Sequence, residues 1–95
     1  MGLESKNNIA TATSSDVLAK TGHGVLKAVY TSPNDRAWVI RDGTGVGGTA
    51  IMTITSGAAG NGGYSAPYLN RPFKTGLFID NTTAGTVGEI HVVFE

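Results

Sequence analysis

Arg36-Ala37-Trp38-Val39-Ile40-Arg41-Asp42-Gly43-Thr44-Gly45-Val46-Gly47-Gly48-Thr49-Ala50-Ile51-Met52-Thr53-Ile54-Thr55 is the stretch on which the fold turns. Residues 36–41 have an aromatic and β-branched centre, the composition of a strand. Asp42-Gly43 then opens a glycine loop that runs to Gly48, and 49–55 alternates threonine with apolar residues, a second strand. The loop matches the letters G-x-G-x-x-G, but a dinucleotide-binding loop must lead into a helix whose N-terminus holds the pyrophosphate. Here it leads into a strand, so the segment reads as a β-hairpin. No lysine follows the glycines, which excludes a phosphate-binding P-loop.

The same punctuation extends in both directions. On the N-terminal side, 25–31 reads as a strand, and Ser32-Pro33-Asn34-Asp35 as a turn in which Pro33 presets φ and Asn34 and Asp35 bond local backbone. Gly22-His23-Gly24 breaks the chain, 16–20 is a strand or one helical turn, and 9–13 carries Thr11 and Thr13 as strand formers. On the C-terminal side a second glycine-rich loop covers 56–63. The segment 64–70 is extended, with Pro67 pointing to a sheet edge. In 73–80 a single strand is expected, with Phe73, Leu77 and Ile79 on one face. The last strand, 89–95, alternates Ile90, Val92 and Phe94 against Glu89, His91 and Glu95. No window repeats apolar residues at helical spacing.

The expected fold class is therefore all-β: a small β-sandwich, jelly-roll-like, of about seven or eight short antiparallel strands. The expected core is Leu26, Ala28, Tyr30, Trp38, Ile40, Met52, Ile54, Leu77, Ile79, Ile90, Val92 and Phe94. Residues 1–15 are set apart as a flexible N-terminal arm, and 16–95 form a single domain.

Composition narrows function. The chain has 95 residues, enough for one domain with a thin core. Seven Lys and Arg balance seven Asp and Glu, and only 15% of residues are charged, against about 25% in ordinary domains. That gives no footprint for nucleic acid or an anionic membrane, and it does little to keep copies of the chain apart. Cysteine is absent, so disulfides, thiolate metal sites and cysteine nucleophiles are excluded. Met1 to Asn8 has no apolar run and reads as neither a signal peptide nor a myristoylation signal, because Lys6 stands where Ser or Thr is needed.

Candidate chemistry is sparse. His23 and His91, with Glu89 and Asp35, lack metal-ligand spacing. Ser56 and Ser65 lack a nucleophile-elbow setting. Asp35, Asp42, Asp80, Glu89 and Glu95 fall in turns or at strand ends, where local backbone bonding or solvation is their usual role. No catalytic residue, cofactor or metal is expected, and the chain is not read as an enzyme. Tyr64, Tyr68, Arg71 and Phe73 are the candidate protein interface, since Tyr and Arg are enriched where proteins meet. The alternative is that these rings cap the core.

Four segments carry a resemblance: Lys20-Thr21-Gly22-His23-Gly24-Val25-Leu26-Lys27-Ala28-Val29, Val39-Ile40-Arg41-Asp42-Gly43-Thr44, Phe73-Lys74-Thr75-Gly76-Leu77-Phe78-Ile79, and the closing Ile90-His91-Val92-Val93-Phe94. Over about residues 17–95 they look like small structural proteins of tailed bacteriophages, and resemble capsid decoration (cement) proteins in particular. The resemblance implies a virion protein made in the host cytoplasm. It would bind the major capsid protein from outside and stabilise the lattice, and it would cluster with itself as a homotrimer. Pro72-Phe73 and Gly76-Leu77 match that pattern as structural positions; the motif carries no catalytic residue. A tail, neck or fibre position, or a small carbohydrate or host-surface binding module, is the alternative.

Overall fold

A computed structural model of the chain describes residues 7–13, 15–31, 37–54, 65–82 and 89–95. Its strands are β1 (Asn8–Ala12), β2 (Val17–Thr21), β3 (Gly24–Thr31), β4 (Trp38–Asp42), β5 (Thr49–Ile54), β6 (Ser65–Ala66), β7 (Arg71–Phe73), β8 (Gly76–Asn81) and β9 (Ile90–Phe94). They form two antiparallel sheets. One runs β1-β9-β3, with β6 and β7 both pairing the far edge of β3; the other runs β2-β8-β4-β5. The chain steps between sheets at nearly every connection, which is the strand order of a jelly roll. The all-β sandwich expected from the sequence is the fold.

The 43–48 loop joins two antiparallel neighbours, β4 and β5, as its hairpin reading requires. The segment 16–20 is strand, not a helical turn. Within the 1–15 stretch set apart as an arm, Asn8–Ala12 is a paired strand, in register with β9 from Asn8↔Phe94 to Ala12↔Ile90. Ala12 enters the core, and that burial ties the segment down.

Trp38, Ile40 and Ile54 from one sheet meet Leu26, Ile90, Val92 and Phe94 from the other, with Leu77 and Ile79 filling the centre. Most of the expected core is there, and three positions differ. Ala28, although buried, shares the outer face with its partner Val93. Met52 is only partly buried against it. Tyr30 is 39% exposed on the outer face. The cause is a bulge in β3, where register against β9 shifts between Leu26 and Ala28. An extra residue reverses the alternation beyond it, so Val29 and Thr31 turn inward and Tyr30 turns out.

The single strand expected over 73–80 is two. β7 belongs to the first sheet and β8 to the second, and the chain crosses between them at Lys74-Thr75. Phe73 therefore reaches the same core as Leu77 and Ile79 from the opposite sheet. Gly76 is required at the crossing: a Cβ there would lie 2.6 Å from Gly43 O and 2.9 Å from Lys20 O, both backbone atoms.

Candidate functional site

Two hollows open on the described surface, and their chemistry differs. The larger, about 460 Å³, is lined by Asp42, Thr49, Thr75 and the glycine loop. Asp42 ends β4 and its carboxylate is taken up by the β7–β8 turn. Oδ2 accepts from Lys74 N–H at 3.0 Å; Oδ1 accepts from Thr75 N–H at 2.8 Å and from Gly76 N–H at 3.4 Å. These backbone bonds, from Lys74 first and Thr75 next, hold the carboxyl below the usual carboxylate range, with Gly76 and the Lys74 charge adding to them. Gly43 N–H donates to Gly76 O at 3.1 Å, and Gly22 N–H to Thr75 O at 2.8 Å. Gly22 takes φ +94° to bring its turn there. Three turns are thus stitched at one end of the sandwich, and the acid that holds them is spent on structure.

Nearby, on the outer face of the β2-β8-β4-β5 sheet, Arg41 Nε donates to Asp80 Oδ2 at 2.9 Å, and its Nη1 donates to Gly48 O at 3.1 Å. Asp80 is buried, so this pair fixes the hairpin loop to β8. Trp38 Nε1 is buried without a hydrogen-bond partner, in keeping with a ring used for packing.

The smaller hollow, about 260 Å³, lies along the side of β3 that pairs β6 and β7 and is lined by Lys27, Tyr68, Leu69 and Asn70. β6 and β7 are two halves of one edge strand beside β3, and residues 67–70 interrupt it opposite the Lys27 bulge. Leu69 N–H donates to Lys27 O at 2.8 Å, and its side chain packs on the core. That anchor turns Tyr68 outward. Tyr68 has φ +64° and is 94% exposed. Lys27 Nζ donates to Asn70 Oδ1 at 3.3 Å.

The expected interface residues separate here. Tyr68 is on the surface. Phe73 is 2% exposed and belongs to the core, so it presents no ring to a partner. Arg71 pairs with inward-facing Leu26, and its Nη1 reaches across the sandwich to Ile51 O on β5 at 3.4 Å. Tyr64 lies outside the described residues, as does Asp35. Lys27 and Asn70 went unrecognised in the sequence, because what makes them neighbours of Tyr68 is the pairing of β3 with a broken edge strand.

The histidines stay apart. His23 is exposed in the β2–β3 turn. His91 lies on the outer face of the first sheet, with Nδ1 3.0 Å from Thr11 Oγ1 and Nε2 2.9 Å from Glu89 Oε1. Among the described residues no three His, Asp or Glu side chains gather as metal ligands.

The same outer face carries an apolar band. Ile9 pairs Val93, Val93 pairs Ala28, Tyr30 pairs His91, and Val25 pairs Pro72. Cross-strand partners share a face, and it is the face opposite Leu26, Val29, Val92 and Phe94. Ile9 is 69% exposed. No family model matches the chain, and neither a curated protein nor a solved structure is significantly similar to it.

Proposed function

We propose that this protein is a structural subunit of a phage virion, a decoration protein that packs on the outside of the capsid lattice and stabilises it. The observation that carries this reading is the apolar band on the outer face of the β1-β9-β3 sheet. A solvated sheet face ordinarily alternates to polar residues; here Ile9, Tyr30 and Pro72 are exposed and Val25 and Val93 half-buried on that face. The chain's low charge and its resemblance to phage structural proteins point the same way. A small subunit that bridges several capsid proteins adds buried area at their joints, and clustering as a trimer makes individually weak contacts act together.

The test is quantitative mass spectrometry of purified particles from the source. Copies comparable in number to the major capsid protein are expected. A handful per particle would move the protein to the neck, tail or fibre, and complete absence would overturn the virion reading. Ile9→Asp and Tyr30→Asp place charges in the band, and are expected to weaken binding to particles that lack the protein by at least about tenfold each.

A further inference from the structure

Tyr68 breaks a local rule: the Leu69 anchor turns it outward, but its own ring brings the fold nothing. A non-glycine residue at positive φ is uncommon, and those found there are mostly Asn, Asp or His, whose side chains suit the conformation. Tyr68 holds φ +64° with its ring 94% exposed, so the ring returns no packing to offset the strain. Strain of this kind that brings no stability clusters at sites of contact. The ring also has company. Asn70 Oδ1 is engaged by Lys27 Nζ. The Asn70 amide N–H groups and the remaining Lys27 N–H groups are left to donate into the 260 Å³ hollow that these side chains line with Leu69.

We propose that Tyr68, Asn70 and Lys27 form a saccharide subsite that takes one hexopyranose unit of a surface polysaccharide. An aromatic face suits the C–H side of a pyranose whose hydroxyls are equatorial. The amide and the ammonium then donate to hydroxyl oxygens at the ring's edge. The size fits this occupant better than a protein. A stable protein interface covers roughly 800 Å² on each partner, whereas this platform is one ring beside two polar side chains. Its flank toward β7 is Arg71, already turned to Ile51 O. One stacked ring and a few hydrogen bonds give a Kd on the order of 1 mM. Useful binding would therefore need many copies displayed together, which many-copy placement on a particle would provide; the subsite itself does not depend on that placement.

Saturation-transfer NMR on the full chain reads contacts this weak. The probes are methyl β-glucopyranoside, methyl β-galactopyranoside and methyl N-acetyl-β-glucosaminide. Saturation of the pyranose C–H protons by the wild-type chain is expected for at least one of them. Tyr68→Asn keeps a residue suited to positive φ and should abolish the transfer, Tyr68→Trp should retain it, and Asn70→Ala should weaken binding roughly threefold to tenfold. Circular dichroism of each variant shows that the fold is kept. Absence of transfer to all three glycosides from the wild-type chain would overturn the proposal, and so would undiminished transfer from Tyr68→Asn or from Asn70→Ala. Particle binding is measured separately, so a failed subsite and a failed decoration role give different results.

Discussion

The turn held by Asp42 and the turn that carries Tyr68 flank the short strand β7 and use their polar groups in opposite ways. Around Asp42 the interactions close on themselves: the carboxylate takes three backbone N–H groups, and the neighbouring turns exchange backbone bonds with one another. Around Tyr68 the backbone is tied down through Leu69, while the ring, the Asn70 amide and the Lys27 ammonium face water. The larger hollow is therefore the structural one and the smaller is the available one. Hollow size by itself would rank them the other way.

Several perturbations would break or sharpen that contrast. The largest effect belongs to Gly76→Ala. Its Cβ would meet two backbone carbonyl oxygens, neither of which can move as a flexible side chain would, and a loss of about 3 kcal/mol or more is expected in urea unfolding. A loss below about 1 kcal/mol would mean that the three turns are not locked together. Arg41→Ala comes next. It leaves Asp80, 7% exposed, without its cation, and should cost about 2–3 kcal/mol by the same measurement.

Asp42→Ala removes the acceptor for three N–H groups. Water competes at this turn, so the expected cost is about 1–2 kcal/mol. Its pH dependence has a definite sign. Because the folded-state pKa is lowered, the carboxylate's contribution is fully present above the ordinary value of 3.8 and is lost as pH falls through the lower folded value. Acid titration of the urea midpoint should thus fall more steeply below pH 3.8 in the wild-type chain than in Asp42→Asn. Parallel profiles would remove Asp42 from the clasp.

The smallest effect is expected at Tyr68. Tyr68→Asn should change stability by less than about 1 kcal/mol and in the stabilising direction, because Asn accepts the positive φ and the ring packs on nothing. A clear destabilisation would show that the ring supports the fold after all.

The sequence was most informative where local pattern and global structure agree. Ile90, Val92 and Phe94 alternate in β9 as written, and the glycine loop after Asp42 joins two strands because nothing beyond it can form a helix. It was least informative where one residue changes the phase. From Leu26 onward an even alternation places Tyr30 inside; the bulge before Ala28 places it outside. Phe73 is absent from the expected core and stands among the expected interface residues, because the crossing between sheets at Lys74-Thr75, which brings its ring into the core, leaves no mark in the local pattern.

By itself, then, the sequence determined the class of structure: period-two apolar runs bounded by glycine, proline and asparagine commit the chain to short strands and turns. It also determined what the chain lacks, namely cysteine and a surplus of either charge. Only the tertiary structure decided what each turn is for. Asp42 meets its partners 32 to 34 residues away, and Lys27 meets Asn70 across 43. Alternation is set by a residue's immediate neighbours, whereas a hydrogen bond at that separation depends on which strands pair and in what register.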